Sequence, residues 1–214
     1  EAGKRLAHVH QELEAMIAPG ISTWEIDAKG EKLIRDCGCI PNFLHYNGYP
    51  ASICVSVNDE VVHGIPRKDR YLKEGDIVSL DAGLIYKGYH SDAARTHAVG
   101  KVSTEAQKLM DVTKQSFFEG IKMAKEGQHL HDISRAIEEY VTPYGYGIVR
   151  DLVGHGIGTA LHEDPQIPNY AQKRRGVRLQ AGMTLAIEPM INAGSWEVDW
   201  MDDDWTVVTR DRSL

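Results

Sequence analysis

Two aspartates, Asp81 and Asp92, flank a segment whose residues are typical of a β-hairpin turn. If Lys87 and Gly88 form a two-residue turn, position 86 faces position 89 and Asp81 faces position 94. Asp92 then lies two positions from 94 on the same face. The two carboxylates become diagonal neighbours with backbones about 7 to 8 Å apart, within reach of shared cations. The alternative is a pair of solvated acids beside a turn, because aspartate is seldom buried without a partner or a metal ion.

A histidine between glycines and an acid in an apolar segment are the next candidates. His155 lies in Gly154-His-Gly-Ile-Gly158, where small neighbours would leave an imidazole open to a cleft. The same pattern is compatible with a simple β-bulge. Glu188 lies in Leu185-Ala-Ile-Glu-Pro-Met190, where an ionised group is costly unless a metal ion or a salt bridge to an arginine compensates it.

Together these four residues form an oxygen-rich donor set with one nitrogen. Such a set suits Mn, Fe(II), Co or Mg better than a thiolate-type zinc site does. A carboxylate that bridges two ions about 3.5 to 4 Å apart lets one ion activate water while the other polarises a carbonyl. Hydrolysis of an amide or ester is therefore the expected reaction.

The elements that must position these residues follow from apolar spacing and capping signals. The recurrence of Leu6, Val9, Leu13 and Ile17 predicts a first helix, which Pro19-Gly20 stops. The segment Ser22-Thr-Trp-Glu25 predicts a capping box at the start of a second helix, which runs to about Gly38.

Two more helices and several strands are expected further along the chain. Thr104-Glu-Ala-Gln107 predicts the cap of a third helix ending at Gly127, and a fourth helix spans roughly 130–142. Strand-like segments are 52–57, 76–81, 153–161, 184–191 and 205–209. This order predicts a single α+β domain over 1–214, in which paired helices cover a curved, mainly antiparallel sheet.

Composition excludes several classes of protein. The chain is 42% hydrophobic and 26% charged, which is typical of one soluble domain, and no apolar run approaches the roughly 18 to 20 residues of a membrane span. A net charge of −7 argues against nucleic acid as a partner. The three cysteines, Cys37, Cys39 and Cys54, predict neither disulfides nor a zinc finger, so we expect a cytoplasmic protein.

An ordered set of motifs along essentially the whole chain resembles the type I methionine aminopeptidases, which belong to the pita-bread metallopeptidases. The matching motifs are Tyr46-Asn-Gly-Tyr-Pro50, Ser52-Ile-Cys54, Asn58-Asp-Glu-Val-Val-His-Gly-Ile-Pro66, Asp81 with Asp92, Gly154–Gly158, Ile187-Glu-Pro-Met190 and Trp205-Thr-Val-Val208. The resemblance implies the pita-bread fold and two divalent metal ions: Co, Mn, Fe or Zn. It also implies removal of the initiator methionine from nascent polypeptides, by attack of a hydroxide on the first peptide bond.

The resemblance further assigns roles to individual residues. It implies that the metal ligands are Asp81, Asp92, His155 and Glu188, with Asp92 bridging. His162 would stabilise the oxyanion, His63 would contact the scissile amide, and Glu188 would accept and pass on a proton; without the resemblance, both histidines read as buried structural residues. The residues that match the methionine side-chain pocket are Tyr46, Tyr49, Cys54, His63, Leu161 and Trp205.

The chain departs from the family pattern in three places. The family's fifth ligand is a bridging glutamate shortly after a segment like Asp211–Leu214; no residue of 1–214 takes that role, and we expect its strand to be missing from these residues. Leu161 replaces an aromatic pocket wall of well-known bacterial members, and Phe43 replaces a cysteine of some.

The expected partners are the N-terminal methionine of peptides and nascent chains, with the ribosome as a further partner. We expect a monomer that binds neither membrane nor nucleic acid directly. Two alternative functions stay open: an Xaa-Pro aminopeptidase or dipeptidase, and a non-catalytic pita-bread protein that binds peptides.

Overall fold

Four helices form where apolar residues recur at helical spacing. A computed structural model describes residues 1–214, and its helices are α1 Ala2–Glu14, α2 Thr23–Asp36, α3 Thr104–Ile121 and α4 Leu130–Val141. The predicted capping box is confirmed at α2, because the Ser22 hydroxyl accepts from the Glu25 amide while the Glu25 carboxylate accepts from the Ser22 amide. These bonds satisfy two backbone donors that the first helical turn leaves free.

The third helix differs from the prediction at both ends. Its cap is Ser103, whose hydroxyl accepts from the Ala106 amide, so the predicted capping role of Thr104 is wrong. The helix ends at Ile121 rather than at Gly127. At the end of the helix the backbone hydrogen bonds join residues three positions apart, as in a 3₁₀ turn. The Gly127 amide then donates to the Leu179 carbonyl, which turns the chain away from the helix axis.

All strand pairs are antiparallel, as predicted, and they form four sheets. The strands are β1 Ile40–Pro41, β2 Ile53–Val57, β3 Glu60–Val62, β4 Ile77–Tyr86, β5 Tyr89–Ala98, β6 Gly147–Ile148, β7 Gly154–Gly156, β8 Glu163–Ile167, β9 Leu185–Ala186, β10 Ile191–Asn192, β11 Val198–Trp200 and β12 Val207–Thr209. The largest sheet has the order β1-β4-β2, with β5 paired to β4. The other three sheets contain β10-β6, β11-β12-β3 and β8-β7-β9.

Each helix pair covers its own hydrophobic core. Helices α1 and α2 pack with β2 and β4 in a cluster of 16 buried residues, and α3 and α4 pack over second-half strands in a cluster of 10. A third, smaller cluster combines Tyr49 and Cys54 from the first half with Ile157 and Ala186 from the second. None of the four helices combines the length and apolar content needed to cross a membrane.

Helix α1 also bonds directly to β5. The His10 Nε2 atom lies 2.8 Å from the Ala93 carbonyl oxygen, which accepts its hydrogen bond. The first helix thus fixes the strand that carries Asp92.

Candidate active site

The β4–β5 hairpin brings Asp81 and Asp92 together as predicted. Asp81 faces Ala94 and Asp92 faces Gly83, which is the diagonal arrangement that a turn at Lys87-Gly88 requires. Both turn residues have positive φ, 53° and 82°, so the turn is of type I′. Burial, together with the charges of Asp92 and Glu188, raises the pKa of Asp81 well above its usual range.

His155 lies on β7 at a register shift between His155 and Gly156, so the bulge interpretation is correct. Both residues that flank His155 must be glycine, because the backbone of a neighbouring segment lies too close to each of them to leave room for a side chain. A Cβ atom at Gly154 would lie 2.3 Å from the Ala186 carbonyl oxygen, and one at Gly156 would lie 2.2 Å from that of Asp164. The Nδ1 atom of His155 donates to the Gly156 carbonyl at 2.8 Å, which leaves Nε2 for the acids. The bulge and its glycines therefore aim one imidazole nitrogen at the carboxylate cluster.

Glu188 follows β9 and its carboxylate enters the same cluster. Its Oε1 atom lies 3.1 Å from His155 Nε2, and Asp92 Oδ2 lies 3.7 Å from the same nitrogen. No arginine pairs with Glu188, so the alternative of a salt bridge to an arginine is wrong, and the basic side chain nearest to its carboxylate is His155. Burial raises the pKa of Glu188 although the bond to His155 lowers it. Asn169, which sequence reasoning missed, fixes this segment because its Nδ2 donates to the Glu188 backbone carbonyl at 2.7 Å.

The donor chemistry of this cluster fits a divalent cation. Ligand atoms of Asp92, His155 and Glu188 all lie within 4.8 Å of one another. Asp81 Oδ1 is buried without a hydrogen-bond donor, and Glu188 Oε1 has only the close contact with His155 Nε2; a buried carboxylate oxygen in this state is costly unless a cation compensates it. Burial alone would lower the pKa of His155, but the carboxylates of Asp92 and Glu188 raise it to about 10. Excess negative charge is thus concentrated where a metal ion would bind.

A cluster of apolar side chains lies beside these acids. Cys54 on β2 is the direct cross-strand neighbour of Asp81, and it is buried together with Tyr49 and Leu161. Trp205 packs edge-on against Tyr49 with ring centroids 5.1 Å apart, and Tyr49 donates its hydroxyl proton to the Gly64 carbonyl at 2.9 Å. Sequence reasoning missed Ile157 and Ala186 as members of this cluster, because only tertiary packing brings these small apolar residues to it.

Two further histidines and one tyrosine lie beside the acids and the apolar cluster. His63 is half-buried with φ of 59°, a left-handed backbone that is uncommon for a residue with a side chain, and its ring faces Trp205 at 6.3 Å. The His162 ring lies 4.2 Å from that of His155, and the exposed Tyr46 bonds to His162 Nδ1 at 2.9 Å. Burial lowers the pKa of both His63 and His162. Burial therefore favours the neutral form of both imidazoles.

Comparison with known proteins identifies the family. The model of metallopeptidase family M24 matches residues 1–209. The chain belongs to metallopeptidase family M24.

Individual relatives agree with this assignment. This M24 metallopeptidase is 52% identical to a methionine aminopeptidase of Clostridium acetobutylicum over the whole chain and 86% of the relative. It is also 52% identical to methionine aminopeptidase 1 of Bacillus subtilis over 99% of the chain and 85% of the relative. A crystal structure of methionine aminopeptidase from Thermotoga maritima superposes with a TM-score of 0.97 at 46% identity, over 99% of this chain and 85% of that one. The expected pita-bread fold is confirmed, and the protein is a metal-dependent hydrolase.

Proposed function

We propose that this M24 metallopeptidase is a methionine aminopeptidase that releases the initiator methionine from peptides and nascent chains. The observation that carries the proposal is the cross-strand pair of Cys54 and Asp81, because it places a cluster of apolar side chains directly against the acid cluster. A substrate side chain that packs against these apolar residues would put its own backbone at the acids. The identity of about half of all residues with curated methionine aminopeptidases supports the same substrate.

Asp81, Asp92, His155 and Glu188 are the residues that would hold two divalent ions, drawn from Co, Mn, Fe or Zn. When bound, such ions supply an activated water and polarise the scissile carbonyl. The buried Asp81 Oδ1, which has no hydrogen-bond donor, is the atom most in need of that charge. Asp92 is suited to bridging because its carboxylate lies near Asp81 on one side and His155 on the other.

The remaining residues act on the substrate. His162, neutral and close to His155, donates an N–H to the oxyanion that develops on the carbonyl oxygen. His63 is neutral for the same reason and donates to the scissile amide region. Glu188 accepts a proton at its carboxylate and passes it to the leaving amine, a role that its raised pKa favours.

The pocket composition favours methionine over other side chains. Aromatic edges from Tyr49 and Trp205 and the sulfur of Cys54 attract a polarisable thioether modestly. Tyr46 and His63 complete the pocket at its opening, and Leu161 supplies an aliphatic wall that accommodates an unbranched chain.

Release of methionine from Met-Ala-Ser tests this proposal. The purified protein is loaded separately with Co, Mn, Fe(II) or Zn, and an Xaa-Pro peptide serves as the competing substrate. We expect methionine release with at least one metal and no cleavage before proline. The Asp92→Asn variant should be inactive, whereas Asp36→Asn, which changes an exposed acid on α2, should match the wild type.

Other outcomes contradict the proposal in distinguishable ways. Cleavage of only the Xaa-Pro peptide would make the protein an Xaa-Pro peptidase. Peptide binding at full metal occupancy without turnover of either substrate would make it a non-catalytic peptide-binding protein.

Two further measurements on the same sample test the expected partners. Native mass spectrometry tests whether the protein is a monomer, and co-sedimentation with translating ribosomes tests the expected ribosome contact.

A further inference from the structure

The hydrogen bond between Tyr46 and His162 joins two residues that are 116 positions apart in the sequence. The phenol oxygen lies 2.9 Å from His162 Nδ1, and the two rings are 5.4 Å apart at a tilt of 41°. Tyr46 is 37% exposed, so this bond is made at the mouth of the site rather than in a core. The Tyr46 hydroxyl is therefore placed to act on His162, the residue that we propose faces the substrate.

The backbone around Tyr46 presents the phenol in a fixed position. Tyr46 begins a short 3₁₀ turn, Tyr46–Gly48, flanked by His45 with φ of 67° and containing Asn47 with φ of 49°. The turn is tied to buried residues, because the Tyr46 amide donates to the Phe43 carbonyl at 2.9 Å and the His45 amide donates to the Tyr49 carbonyl at 2.8 Å. Residues held in such left-handed conformations are over-determined by their surroundings, which is common at functional sites.

The engaged nitrogen determines what the other nitrogen of His162 can do. A neutral imidazole carries one proton, so one ring nitrogen donates and the other accepts. With Nδ1 occupied by Tyr46, only Nε2 is left for a substrate oxygen. For Nε2 to donate, Nδ1 must be the acceptor and the phenol must be the donor.

We propose that Tyr46 is a positioning residue that donates its hydroxyl proton to His162 Nδ1 and so holds the His162 proton on Nε2, aimed at the substrate carbonyl. This role rests on the proposed function of His162 as oxyanion donor. It is separate from the lining of the methionine pocket, because it acts on the reacting carbonyl rather than on the side chain. Tyr46 thus sets the tautomer and the ring orientation of its neighbour.

The first test is kinetic and uses Tyr46→Phe, which keeps the ring and removes the hydroxyl. We expect kcat for Met-Ala-Ser to fall roughly five- to tenfold, the order expected for one hydrogen bond, with KM within about twofold of wild type. Tyr71→Phe is the matched control, since Tyr71 is an exposed tyrosine outside the site. A change confined to KM would indicate pocket lining alone and would overturn the proposal.

A double-mutant cycle separates action through His162 from independent action. Glutamine at position 162 retains an N–H donor, so His162→Gln leaves measurable activity. If Tyr46 acts through His162, adding Tyr46→Phe to His162→Gln lowers kcat no further than about twofold. If the two losses multiply, Tyr46 acts independently and the proposal fails.

The second test reads the proton directly and does not need turnover. Long-range proton–nitrogen NMR correlations on the full zinc-loaded chain, with ¹⁵N-histidine, distinguish a protonated Nε2 from a protonated Nδ1; the His162 signals are those lost in His162→Gln. We expect protonated Nε2 in the wild type and a mixed pattern in Tyr46→Phe. Protonated Nδ1 in the wild type would refute the proposal. An inactive wild type with protonated Nε2 would refute the proposed function while leaving the positioning role intact.

Discussion

The buried histidine of the first helix makes the stability of this protein depend on pH. His10 is fully buried, its Nε2 bonds to the Ala93 carbonyl, and its Nδ1 has no partner. Burial lowers its pKa from 6.5 to about 4, and nearby Arg95 and His97 act in the same direction. Because the unfolded chain takes up a proton at higher pH than the folded chain, stability is lost as the pH falls from above 6.5 toward 4.

The size of this loss follows from the two pKa values. Between pH 7 and pH 5 the linkage amounts to about 2 kcal/mol of the free energy of unfolding. The variant His10→Gln keeps a donor for Ala93 but cannot titrate, so its stability should escape this loss. His8→Gln, an exposed histidine on the same helix, is the control and should follow the wild type.

Urea unfolding at pH 7, 6 and 5 measures the effect. The difference in unfolding free energy between His10→Gln and the wild type should move by about 2 kcal/mol in favour of the variant over this range. Contributions from ionisable groups that do not interact with position 10 are the same in both proteins, so they cancel from the difference. If the two stability curves stay parallel, His10 is not held neutral by its surroundings and the reasoning is refuted.

Three further predictions concern the site and its scaffold. Asp92→Ala should lower methionine release at least about a thousandfold and reduce bound metal, as measured by turnover and by elemental analysis; normal turnover at full occupancy would contradict the ligand assignment. Gly64→Ala should destabilise the protein by on the order of 2 kcal/mol or more in urea unfolding, because the new Cβ would lie 2.4 Å from the Val55 carbonyl oxygen. Saturating Mn or Co at 100 times its Kd should raise the unfolding free energy by about 2.7 kcal/mol relative to chelated protein, and an unchanged melting curve would argue against a metal site.

Local signals in the sequence determined the parts of the fold that depend on near neighbours. The turn at Lys87-Gly88 fixed the register of Asp81 and Asp92, and the capping box fixed the start of α2. Both features rest on contacts within a few residues of each other. The cap of α3 was misplaced by one residue because adjacent Ser103 and Thr104 both offer a hydroxyl, and only the backbone at Ser103 is extended.

Other features depend on distant parts of the chain and left no local pattern. Strand β8, which spans Glu163–Ile167, has no apolar alternation, so its own sequence does not predict its pairing with β7. Nor does the sequence indicate that Tyr46 would reach His162, or that Asn169 would hold the backbone of Glu188. The resemblance identified the candidate ligands. The distances between them and the shifts of their pKa values could be determined only from the folded structure.

The two cores described above imply an order of events during biosynthesis. The first half, with α1, α2 and the β4–β5 hairpin around its own core, has the contacts to begin folding as soon as it leaves the ribosome. It then carries Asp81 and Asp92 without His155 or Glu188, so it lacks half of the four proposed ligands. The complete set of proposed ligands therefore exists only after translation has passed residue 188 and the second core has formed.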